Sequence, residues 1–68
     1  MTDRKLQAAL EWQRYSEQSD EAFHAGNTMM STYFSKAAFI IANTFRVDYG
    51  LRTVDRAVAE MRELLKRK

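Results

Sequence analysis

The chain has 68 residues, neither cysteine nor proline, and eleven Lys and Arg against nine Asp and Glu, for a net charge of +2 at pH 7. These figures exclude disulfides and thiolate metal sites, and they imply no particular partner, because both signs are spread along the chain as far as Lys66, Arg67 and Lys68. One domain of this length hides only about 60% of the surface its unfolded form exposes, so its core is marginal and self-association is the remaining staple.

Thr2, Asp3, Arg4 and Lys5 are followed by mixed polar residues rather than an apolar stretch, so no signal peptide is expected and the expected location is cytoplasmic. The longest apolar run, Ala37 to Ala42, has six residues against the roughly 20 that span a bilayer, so no membrane partner is expected.

The first helix is predicted from about Asp3 to His24, with Thr2 as N-cap and the Asp3 carboxylate in the first turn, where it suits the helix dipole. Gly26 should end it in the left-handed conformation, and Asn27 or Thr28 should cap a second helix running to about Arg46. Gly50 repeats the device, and Thr53 should cap a third helix from Val54 to about Arg67.

In the first helix Ala8, Trp12, Tyr15, Ser19 and Ala22 recur at spacings of four and three, a heptad-like seam. In the second, Met30, Tyr33, Phe34, Ala37, Ile40 and Ile41 share a stripe, and in the third Val54, Ala57, Val58, Met61, Leu64 and Leu65 do the same. Three stripes facing one core, joined by short connections, predict a single all-α domain: a three-helix hairpin or small bundle, completed by homodimerisation.

Two sets of residues fall outside that core. Leu6 and Leu10 lie on a different side of the first helix from the Trp12 seam and are assigned to an oligomer interface. Phe39 lies opposite the Ile40 and Ile41 stripe, in a line with Thr32, Ser35, Ala42 and Arg46. A helix apolar on two sides implies a second surface, so Ser35, Phe39, Ala42 and Arg46 are assigned to partner binding.

Catalytic chemistry finds little to use. His24 is the one strong neutral-pH base, and with Asp20 four residues earlier it reads as a solvated helix-terminal pair. Glu21-Ala22-Phe23-His24 fits the Glu-x-x-His spacing of di-iron bundles, yet the span from Asn27 to Arg46 offers no carboxylate to complete a site. No enzyme activity, cofactor or metal is expected. Arg52, Arg56, Arg62, Lys66 and Arg67 could contact phosphates, but Asp55, Glu60 and Glu63 interleave with them, and Glu63 with Arg67 reads as a helix-surface pair.

Ala22-Phe23-His24-Ala25-Gly26-Asn27, then Tyr33-Phe34-Ser35-Lys36-Ala37-Ala38, resembles the helix-turn-helix of a tetratricopeptide-type hairpin. Arg56-Ala57 onward is similar to the third helix of microtubule-interacting-and-trafficking domains. The resemblance covers about half the chain, has Ser31 where such hairpins place alanine, and reads as convergence between helical hairpins. What it implies is peptide or protein binding. The expected function is that of a small helical adaptor or inhibitor, a homodimer that docks on a larger protein and modulates its activity. The alternative is a nucleic-acid-binding regulator using the basic C-terminal helix.

Overall fold

The computed structural model describes residues 3–67, which form three helices and no strand: α1 (Arg4–His24), α2 (Thr28–Asp48) and α3 (Val54–Lys66). The all-α, three-helix architecture read from the sequence is the observed one. Local chemistry sets the boundaries. Asp3 itself is the N-cap of α1, its Oδ1 accepting from Lys5 N at 3.0 Å and Leu6 N at 3.4 Å. The capping role assigned to Thr2 falls outside the described residues. Asn27 Oδ1 accepts from Met30 N at 3.1 Å, and Thr53 Oγ1 accepts from Arg56 N at 3.1 Å, each satisfying an amide that its helix cannot.

Both glycines end helices as their positions predict. Gly26 has φ 80°, which lets Asn27 N reach Ala22 O at 2.8 Å and Gly26 N reach Phe23 O at 3.0 Å. Gly50, at φ 65°, does the same for α2 through Leu51 N to Arg46 O at 2.8 Å and Gly50 N to Val47 O at 3.3 Å. The second helix therefore continues two residues past the expected Arg46, to Asp48.

α1 and α2 form an antiparallel hairpin, and α3 folds back to pack on both. The centre of the core is Phe45 and Met61, enclosed by Ala9, Ala42 and Ala57, with Trp12, Val54, Val58, Leu64 and Leu65 packed around them. The alanines let the helix backbones approach, so one aromatic and one flexible thioether fill the space between three helices. Each large side chain buried in this way contributes about 1.5 to 3 kcal/mol. Further along the hairpin, Ser19 Oγ donates to Ser31 O at 2.9 Å and Tyr15 stacks on Phe34 at 6.3 Å.

The stripe predicted for α2 is not the one the core takes. Ala38, Ala42 and Phe45 are the buried residues of α2, whereas Ile40 is 63% exposed and Met30 and Tyr33 are exposed as well. An apolar helix offers two faces for burial, and the chain uses the one rich in alanine, whose small side chains let the backbones of α1 and α3 approach closely.

α3 has 13 residues against 21 in α1 and in α2, which is about 20 Å against about 31 Å. Tyr49 to Thr53 attach it at the end of the hairpin where α2 finishes, and Leu65 and Lys66 near its other end share a cleft with Ser16, Glu17 and Asp20. The hairpin tip around Phe23 and Met29 therefore projects beyond α3.

Candidate interaction surfaces

α2 presents two flanks to solvent. The first carries the line assigned to partner binding. Phe39 is 58% exposed and Ser35 is exposed, while Arg46 is half-buried and held along the helix by its Nε donating to Asn43 Oδ1 at 3.1 Å. Ala42 does not belong with them. It is 1% exposed and lies in the core with Ala57 and Met61, because the same close approach that buries Phe45 closes over it. The line is thus two surface stretches, Ser35 with Phe39 and then Arg46, separated by one turn under the packed core. Thr32, at its upper end, spends its hydroxyl on Thr28 O at 2.9 Å.

The second flank carries Tyr33 and Ile40 of the stripe expected to face the core, and it is open. Tyr33 and Ile40 stand on it, with Met29 at 84% exposure near the hairpin tip and Val47 near the base. Phe34 lies beneath, its ring 5.5 Å from Tyr33. Toward the base the flank borders a cleft of about 520 Å³ between α1 and α2, where Ile40, Ile41 and Thr44 face Arg4, Ala8 and Glu11, with Phe45 and Tyr49 at its edge. Tyr49 is held there by Phe45 at 4.7 Å and by Lys5, whose Nζ lies 4.8 Å above its ring. Leu6 and Leu10, assigned to an oligomer interface, are both half-buried on α1, a smaller apolar offering than this flank.

Among the described residues no group of three or more His, Asp or Glu side chains is placed to hold a metal ion. His24 and Asp20 are both exposed, and His24 Nδ1 donates to the Asp20 carbonyl oxygen at 2.8 Å. Among the described residues no buried side chain is polar or charged. On α3 the pairing is Glu63 with Lys66 at 3.9 Å rather than with Arg67, both partners well exposed, and the Arg62 guanidinium lies 5.7 Å over the Trp12 ring. Isolated surface pairs of this kind are worth under about 1 kcal/mol. No helix among the described residues is long and apolar enough to cross a membrane.

The surface residues that sequence reasoning missed are Tyr33, Ile40, Met29 and Val47. Their signal was α2 itself, apolar nearly all round in a chain too small to surround it. No family model, curated protein or solved structure matches this chain.

Proposed function

We propose that the protein is a small helical regulator, an adaptor or inhibitor, that docks on a larger protein through the Ser35, Phe39 and Arg46 flank of α2 and modulates that partner's activity. The reading holds the regulator to be a homodimer in the cytoplasm. One observation carries it: among the described residues eight large apolar side chains are exposed, while the buried core holds six residues, four of them alanine. Soluble monomers rarely leave contiguous apolar patches beyond a few hundred Å² uncovered, and larger ones mark interaction sites. Exposed Phe39 and, about two turns further along, the tethered Arg46 are also two of the residue types that dominate interface energetics.

The test is quantitative capture from the cells that make the protein. Tagged wild type, Phe39→Ala, Arg46→Ala and the control Glu60→Ala are compared by mass spectrometry, and the purified partner is then titrated directly. Phe39→Ala should weaken binding about 30-fold or more, the effect of an interface hot spot, and Glu60→Ala should leave it unchanged. A partner held equally by all four proteins refutes the flank as the docking surface. Retention on heparin with a steep salt dependence, and no protein partner, favours the nucleic-acid alternative.

A further inference from the structure

The open flank of α2 that carries Tyr33 and Ile40, opposite the proposed docking flank, calls for an occupant of its own. Met29, Met30, Tyr33, Ile40 and Val47 are between 41% and 84% exposed. At roughly 200 Å² for a large side chain fully exposed, they present on the order of 600 Å² of apolar surface. The whole chain exposes 5295 Å², several hundred Å² more than the roughly 4450 Å² usual for a monomer of its mass. A standard interface takes about 800 Å² from each partner, so the uncovered area is of the size one such interface would remove.

Charge argues for the kind of occupant. Between Thr28 and Val47 α2 has no carboxylate, and Lys36, exposed one turn before Ile40, is the one cation on this flank. The cleft that Ile40 shares with α1 holds Arg4 and Asp48 toward its base and the Glu11 carboxylate further up α1, so Glu11 is the opposite charge nearest the level of Lys36. The surface therefore carries both halves of a complementary pair, which a twofold interface requires because one patch must fit itself. Lys36 and Ile40 are about 6 Å apart along the axis. If two copies of α2 cross antiparallel with the twofold axis near Ala38, each Lys36 comes level with the partner's Ile40, and the register that pairs Ser19 with Ser31 and Tyr15 with Phe34 puts Glu11 at about that same level.

We infer that this flank takes a second copy of the same chain, as an antiparallel dimer in which the Ile40 side chains pack near the axis at the mouths of the α1–α2 clefts and Lys36 pairs with the partner's Glu11. The inference rests on the homodimer reading given above and places its seam on α2 rather than at Leu6 and Leu10. The Phe39 flank stays outward in both subunits, so the assembly would present two docking lines.

Sedimentation equilibrium over a wide concentration range tests it, with helical circular dichroism confirming that each variant is folded. Wild type should approach twice the 8.0 kDa chain mass. Ile40→Asp should raise the dissociation constant about 30-fold or more, and Lys36→Glu or Glu11→Lys alone about 10-fold. The double variant Lys36→Glu with Glu11→Lys should recover to within about threefold of wild type, which a non-specific loss of solubility or folding would not produce. A wild type that stays at the monomer mass overturns the inference together with the homodimer reading. A dimer indifferent to Ile40→Asp overturns the inference alone and returns the seam to Leu6 and Leu10. Failure of the double variant to recover overturns the antiparallel pairing. Since Phe39 is untouched throughout, the docking proposal stands or falls separately.

Discussion

The two faces of α2 are written in much the same residue types and end differently. One packs Ala38, Ala42 and Phe45 into the three-helix core, and the other leaves Tyr33 and Ile40 in water although their spacing is equally regular. Hydrophobic periodicity identifies stripes that burial would reward. It does not say which stripe the chain covers with its own helices, because that depends on how closely the backbones can approach, and alanine decides it.

The strongest way to break this comparison is to truncate one residue from each face. Phe45→Ala removes the largest fully buried side chain and should cost about 3 to 5 kcal/mol. That is comparable with the entire stability of a 68-residue domain at about 0.05 to 0.15 kcal/mol per residue, so its cooperative thermal transition by circular dichroism should be lost. A sharp melt near that of the wild type would show that the core is elsewhere.

Trp12→Ala comes next and asks how firmly α3 closes the covered side. Trp12 is half-buried, packed against the core cluster and capped by Arg62, so about 2 kcal/mol is the expected loss, less than for Phe45. Urea titration should give a lowered midpoint with an intact baseline. Complete unfolding would mean that the Trp12 seam, and not Phe45 with Met61, is the centre of the molecule.

Smallest of all should be Tyr33→Ala on the open side. In dilute samples, where the chain is monomeric, its midpoint should move by less than about 0.5 kcal/mol, because a 63% exposed ring loses little on truncation. At high concentration the same variant should fall behind the wild type if a second copy covers it. A large loss in dilute solution would instead assign Tyr33 to the folded core.

Much of the architecture was legible because its determinants are local. Gly26, Asn27, Gly50 and Thr53 mark the helix boundaries through interactions spanning a few residues, which a sequence displays directly. The rotation of α2 was not legible, since Phe34 through Ala42 offers apolar residues in nearly every direction and the choice is made by neighbours far along the chain. The site shows the same division. Phe39 is exposed as expected, whereas Ala42, which shares its line, is covered by α3.

The Arg62 guanidinium over Trp12 also makes the protein a two-channel spectroscopic system. Trp12 is the only tryptophan, and its ring sits in the seam that forms when α3 docks on α1. Its fluorescence therefore reports closure of the third helix, while far-ultraviolet ellipticity is dominated by the two long helices of the hairpin. Residues 12 and 62 are separated by most of the chain, whereas the hairpin closes through contacts as near as Ser19 to Ser31, so loop entropy favours the hairpin first. Stopped-flow traces recorded in both channels would then separate in time if the hairpin accumulates alone, and superimpose if helix formation and closure cross a single barrier.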